Sequence, residues 1–352
     1  MIRKETKKMK ILKLISTALF FLLVGYFVGS EVGGKLSQPQ EIKSVERKAI
    51  LYENLNPLQS IRDYRTNSLK MIEGLEEDLT IEAEQLVKNK NVKSISIYFQ
   101  DLSNGNTVSI NDLEIFSPAS LMKVPVMIAI LKLAENDSKV LSQEIEFKGI
   151  QENQYNNGRT VGANSTVLIS GMRYSLMKLM EIMIDESDNE ATILLLDFLD
   201  AFNPDFLNQV QSEIGLIVPD SAVYAEDFIT VKQFSSFFRT LYNASYLNEE
   251  YSNLALSILK KSGYGFGIRQ AIPVDIPIAH KFGHKVINEN LQELHHFGLV
   301  YLSRKPFLLG VMTKGEDIES LKKAIYLVSN LAYQKASLTI EKEGNYRSRD
   351  IN

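Results

Sequence analysis

Ser120-Leu121-Met122-Lys123 sets a hydroxyl and an amine three positions apart, a spacing that on a helix places both on one face within reach of each other. Serine is unreactive at its own pKa and needs an adjacent base. Lysine can be that base only where burial or nearby charge lowers its pKa. The segment that follows, Val124-Pro125-Val126-Met127-Ile128-Ala129-Ile130-Leu131, is apolar on all sides, and Lys123 is the one charge at its head. A buried helix here would give a serine nucleophile and a lysine proton acceptor for acyl transfer. The same spacing recurs in Ser175-Leu176-Met177-Lys178, Ser257-Ile258-Leu259-Lys260 and Ser320-Leu321-Lys322-Lys323, so context decides. Ser175 precedes an amphipathic stretch and reads as a helix N-cap. Ser257 and Ser320 accompany lysines that read as solvent-facing.

Two further groups of polar residues stand downstream. Ser187-Asp188-Asn189 falls at the end of one predicted helix, and Lys281-Phe282-Gly283 at the end of a predicted strand. A literal Lys261-Ser262-Gly263 also occurs, but it follows an apolar helix and precedes Tyr264-Gly265-Phe266-Gly267, so it reads as a helix terminus closed by glycine.

The elements that must position these groups can be read from apolar period and turn residues. Residues 67 to 88 read as an amphipathic helix. Ser94–Phe99 and Thr107–Ile110 read as two strands joined by an Asn-Gly hairpin signal at Ser103-Asn104-Gly105-Asn106. From Ser120 to about Lys260 the pattern is helical. Strands return at Ile276–Phe282, Leu291–Leu302 and Phe307–Thr313, and residues 318 to 332 read as a last helix. Two early strands and three late ones must meet in one sheet. The expected fold class is therefore α+β: an antiparallel five-stranded sheet flanked by helices, with an inserted helical lobe. The predicted folded domain spans residues 67–335, followed by a polar tail at 336–352.

The N-terminus reads differently. Arg3, Lys4, Lys7, Lys8 and Lys10 precede an apolar run from Ile11 to Gly29 broken only by Lys13. A run just under the usual spanning length behind a basic flank reads as an uncleaved signal anchor over residues 1–32, N-terminus inside and the rest extracytoplasmic. Val28-Gly29-Ser30 is a weak cleavage site, and cleavage there would release a secreted form. Residues 33–66, polar and without period, read as a spacer. A net charge of -4 with scattered basic residues gives no nucleic-acid footprint. The absence of cysteine removes disulfides, thiol nucleophiles and thiolate metal sites. His295 and His296 are adjacent in a predicted strand and must point to opposite faces, so no metal and no cofactor are expected.

The ordered set Ser120-x-x-Lys123, Ser187-Asp188-Asn189 and Lys281-Phe282-Gly283 resembles the signature of class A β-lactamases and penicillin-binding proteins. Phe116-Ser117-Pro118-Ala119 before the nucleophile, and Leu309-Gly310-Val311-Met312-Thr313-Lys314-Gly315 late in the chain, are similar to segments of that superfamily too. The resemblance covers roughly residues 93 to 335. It implies a β-lactamase/transpeptidase-like fold and a β-lactam or peptidoglycan-peptide-like substrate. Ser120 would be acylated and Lys123 would accept its proton, while Ser187 and Lys281 would relay a proton to the leaving nitrogen. Asn189 would hold the substrate amide, and Gly283 and His284 would also belong to the substrate-binding site. The backbone N–H groups of Ser120 and His284 would form the oxyanion hole.

The chain departs from the pattern twice. Phe282 stands where the family has a Thr or Ser whose hydroxyl helps hold a substrate carboxylate. No glutamate matches the deacylating base; Glu226 comes late in its loop. The resemblance therefore implies a long-lived acyl-enzyme and inefficient lactam hydrolysis. The alternative is a catalytically degenerate protein of the same fold serving as an envelope-binding or scaffold protein. The shared motifs do not separate lactam hydrolysis from carboxypeptidase or transpeptidase work, and they name no protein partner.

Overall fold

The computed structural model describes residues 54–56, 69–149, 167–218, 227–303 and 305–349. The expected anchor, nearly all of the spacer, Glu226 and the last three residues lie outside them. No described helix is long and apolar enough to cross a membrane.

The first helix, α1 (Leu69–Lys88), leads into β1 (Ser94–Asp101) and β2 (Thr107–Ile110). Their hairpin closes as its residues dictate: Gly105 takes φ +82 and donates its N–H to Asp101 O at 2.8 Å. A 3-10 turn (Ala119–Met122) opens directly into α2 (Lys123–Asn136). The lobe that follows holds a two-stranded ribbon, β3 (Glu144–Glu146) with β4 (Arg173–Ser175), which the sequence pattern did not predict. It also holds α3 (Leu176–Asp185), α4 (Asn189–Phe202), α5 (Phe206–Ile214), α6 (Val231–Tyr242) and α7 (Glu249–Leu259). After the short α8 (Ile268–Ala271) come β5 (Ile278–Asn288), β6 (Leu291–Val300), β7 (Phe307–Gly315) and α9 (Ile318–Arg349).

The sheet is five-stranded, in the order β2-β1-β7-β6-β5, and antiparallel throughout. The β1–β7 pairing, from Ser94↔Lys314 to Asp101↔Phe307, joins the two ends of the domain at its centre. Strand alternation divides the core. Ile95, Ile97, Phe99, Leu294, Val300, Leu309 and Val311 pack against α1 and α9, while Phe297, Leu299, Leu308 and Met312 pack against the helical lobe. At the centre of the lobe, α2 is buried from Lys123 through Leu131, as a helix with no polar stripe must be.

Three expectations require correction. Strand β5 continues to Asn288, so Lys281-Phe282-Gly283 lies within an edge strand and not at its end; pairing with Leu291–Val300 carries it on. The C-terminal helix runs to Arg349, well into the expected polar tail, because residues 333–349 contain no proline and Ala336 still has a core to bury against. Lys261-Ser262-Gly263 does follow a helix, but Gly263 does not close it in a left-handed conformation; its N–H reaches across to Asp185 O at 3.3 Å.

Candidate active site

The turn carrying Ser120 is fixed from both sides. Phe116 bridges to Ile229, its N–H donating to Ile229 O at 2.9 Å, and this ties the turn to the segment leading into α6. Ala119 takes φ +49, a left-handed conformation that costs a non-glycine residue about 1 kcal/mol or more and persists only where the surroundings impose it. Ser120 follows, half-buried, at the mouth of α2.

Lys123, the first residue of α2, extends across the lobe to the α3–α4 connection. Its Nζ donates to Ser187 O, to Ser187 Oγ at 3.2 Å and to Asn189 Oδ1 at 2.8 Å. Burial lowers its pKa from 10.5 to about 7, against the opposing pull of the nearby Asp188 carboxylate. Ser187 sits at φ +53, held there because Asp188 N-caps α4, its Oδ1 accepting from Ala191 N at 2.7 Å. Lys281, fully buried, approaches the same hydroxyl from β5 and donates to Ser187 Oγ at 2.9 Å. Burial, and then repulsion from Lys123, push its pKa well below the ordinary lysine value. With two amines donating to Ser187 Oγ, the hydroxyl proton is left to point elsewhere.

Strand β5 seats against the Ser120 turn at Gly283. A Cβ there would come within 2.9 Å of Pro118 O and 3.2 Å of Leu121 N, so only glycine permits the approach. The His284 ring next in the strand turns out to solvent and meets Gln292 Oε1 at 2.9 Å. Phe282 lies beside this array. Its ring stacks on Tyr264 with centroids 3.8 Å apart, and Lys281 Nζ sits 4.3 Å from its centroid. Behind the stack, Ile268 N–H donates to His296 Nδ1 at 3.2 Å, and His296 Nε2 meets His280 Nδ1 at 3.0 Å. Burial holds both rings neutral, His280 at about 3.

The structure thus gathers Lys123, Ser187, Asn189 and Lys281 into one hydrogen-bonded cluster, with Gly283 against the Ser120 turn. Among the described residues Ser120 Oγ itself makes no hydrogen bond, to Lys123 or to any other group. His295 and His296 face opposite sides of the sheet, and no group of three or more His, Asp or Glu side chains is placed to hold a metal among the described residues.

A second network escaped sequence reasoning. Glu293 is fully buried: its Oε2 accepts from Ser117 N at 3.0 Å, and its Oε1 pairs with Lys314 Nζ at 2.9 Å. His295 Nε2 donates to Ser117 O at 2.9 Å, and Lys285 Nζ reaches Ser117 Oγ at 3.2 Å. Lys314 continues to Asp227 at 2.7 Å. Burial opposes ionisation of Glu293, but His295 and Lys314 outweigh it and hold the carboxyl below its ordinary pKa. The signal was present in the alternation of β6, where Glu293 and His295 share the inward face of Phe297 and Leu299.

Residues 78–336 match the model of the β-lactamase enzyme family. The chain belongs to that family. Its fold is the β-lactamase/transpeptidase-like one of the solved structure of PBP-A, which is 19% identical with a TM-score of 0.61 over 76% of this chain and 96% of that one. A β-lactamase from Sphaerobacter thermophilus is also 19% identical, with a TM-score of 0.63 over 74% and 97% of the two chains. A class A β-lactamase from Mycobacterium abscessus is 18% identical, with a TM-score of 0.61 over 73% and 98%. No curated protein matches the sequence. Family membership supports a serine hydrolase or acyltransferase kind of function.

Proposed function

We propose that the protein is a serine acyl-transfer enzyme that forms an acyl-enzyme at Ser120 from a β-lactam or a cell-wall peptide amide. The observation that carries this reading is the convergence of two buried lysines on the Ser187 hydroxyl beside the Ser120 turn. Burying two amines is costly, and a fold without use for a neutral lysine gains nothing from it. In the reaction Ser120 Oγ bonds to the acyl carbon and passes its proton to neutral Lys123. The acyl carbon–nitrogen bond then breaks as Ser187 delivers a proton to the leaving nitrogen, replenished through the lysines. The backbone N–H groups of Ser120 and His284 face the developing oxyanion, where removing one such donor typically costs about 2.7–4 kcal/mol of barrier. Water or an acceptor amine completes the cycle by attacking the ester. A PBP-A variant has been solved as an acyl-enzyme with penicillin G, which fits the same chemistry. We also propose that residues 1–32 anchor the protein in a membrane with the folded domain outside the cytoplasm, as their basic flank and apolar run suggest.

The test is intact-mass analysis of the full chain after prolonged exposure to a fluorescent penicillin, beside Ser120→Ala. An adduct on the parent that is missing in the variant is expected. No adduct and no lactam turnover would move the assignment to a non-catalytic envelope-binding protein, a reading favoured by the unbonded Ser120 hydroxyl.

A further inference from the structure

Lys281 is the buried lysine that β5 brings to the site, and its donors are already committed. A neutral amine has two N–H bonds, and both are used. One points at Ser187 Oγ at 2.9 Å, one at Phe282 O at 3.2 Å, and the Phe282 ring covers the nitrogen at 4.3 Å from its centroid. The wall continues as aromatic surface, Tyr264 lying parallel to Phe282 at 14° and Phe266 edge-on to Tyr264 at 5.8 Å. Two cations around this wall are occupied as well. Arg269 donates to the carbonyls of Ile276, Ile272 and Pro273, and Lys322 pairs with Glu319 at 2.8 Å while lying over the Phe266 ring. A carboxylate placed against this surface would lose its hydration and meet aromatic carbon in place of donors.

We propose, resting on the acyl-transfer reading above, that the subsite formed by Phe282 and Tyr264 beside Lys281 takes an uncharged, planar or apolar group of the substrate. Ser120 is then acylated preferentially by donors that present an ester, an amide or a ring at this position, and only poorly by those presenting a free carboxylate. The covalent step is unchanged: the Ser120 Oγ–acyl bond forms, the acyl carbon–nitrogen bond breaks and the nitrogen takes the proton. Only the neighbouring substituent is selected.

Penicillin G and its methyl ester differ in this one charge. Rates of Ser120 adduct formation with each, followed by intact mass on the full chain, are expected to favour the ester by tenfold or more. Phe282→Thr, which exchanges the ring for a hydroxyl, is expected to bring the ratio to one or below. Phe282→Leu, which stays apolar, is expected to keep the preference for the ester. If the free acid acylates the parent as fast as the ester, the subsite inference fails and the acyl-transfer reading stands, and this comparison needs no variant to fold. If neither compound acylates Ser120, the acyl-transfer reading fails and takes the inference with it.

Discussion

Lys281 donates to Ser187 Oγ across 2.9 Å and so joins an edge strand to a helix–helix turn 94 residues away in the chain. Neither residue is under local instruction to meet the other: β5 forms through its ladder with β6, and Ser187 is placed by the cap of α4. Lys123 completes the array from a third element, and its basicity is the property on which the chemistry turns.

With a pKa lowered to about 7, Lys123 is protonated and unable to accept the Ser120 proton in mildly acidic solution. The acylation rate is expected to rise with pH, reach half its maximum near 7 and fall by about tenfold per unit below it. Intact-mass rates between pH 5.5 and 9 would show this, and a flat profile would rule Lys123 out as the base. The linkage has a definite sign. The amine is less basic folded (about 7) than unfolded (10.5), so the unfolded chain holds more protons between these values and stability rises with pH across that window. Lys123→Met is expected to reduce that slope to the part that Lys281, also lowered by burial, contributes.

Gly283→Ala tests the seat of β5 on the nucleophile turn. The added methyl meets Pro118 O at 2.9 Å and Leu121 N at 3.2 Å, backbone atoms that do not swing aside as a side-chain tip would. The expected cost is about 1–3 kcal/mol in urea unfolding. Ser120 acylation should also fall by more than tenfold, since the displaced turn carries the nucleophile. Full activity in a stable variant would mean that the turn yields freely.

Most of the sheet was legible because it rests on period-two alternation and a turn signal; Thr107–Ile110 is found as read from the sequence. The Ser175 N-cap was equally readable, since its hydroxyl accepts from Lys178 N three residues on. Long-range pairings were not. Lys260 reads as solvent-facing, yet it and Ser257 both bind Asn54 some 200 positions earlier. The left-handed Ala119 likewise carries no local signal. Lysines Lys123 and Lys281 could be nominated by motif, but their shared hydroxyl only emerges from the fold.

Glu293→Gln keeps an acceptor for Ser117 N but discards the charge that pairs with Lys314. Breaking one side of a buried pair costs about 3–5 kcal/mol, and the half-buried Asp227 side of the network should soften this toward the lower figure. The folded-state pKa of Glu293 lies below its unfolded value of 4.5, so its contribution is present above that pH and is lost as pH falls through the lower value. The parent should therefore lose stability on acidification more steeply than the variant, as chemical unfolding at pH 7 and pH 4 would register. Equal slopes would show that Glu293 is not held as a carboxylate.

Asn54 belongs to a stretch that reads as spacer, yet it is 3% exposed and behaves as part of the folded body. Its side-chain amide donates to Asn253 Oδ1 at 2.9 Å and to Ser257 Oγ at 2.8 Å, and its oxygen accepts from Lys260 Nζ at 2.9 Å. Tyr301 OH donates to its carbonyl at 3.1 Å, and Leu55 beside it is buried in the core of the helical lobe. Asn54→Ala is expected to lower stability by about 1–3 kcal/mol, the cost of stranding buried polar partners. A chain beginning at residue 69 should lose about 1.5–3 kcal/mol more with the burial of Leu55. Asn54 makes no hydrogen bond to Ser120, Lys123, Ser187 or Lys281, so the Ser120 acylation rate per folded molecule should be unchanged in Asn54→Ala. Urea midpoints read beside adduct rates separate the two effects. A loss of acylation at full stability would show that this strap acts on the site as well as on the fold.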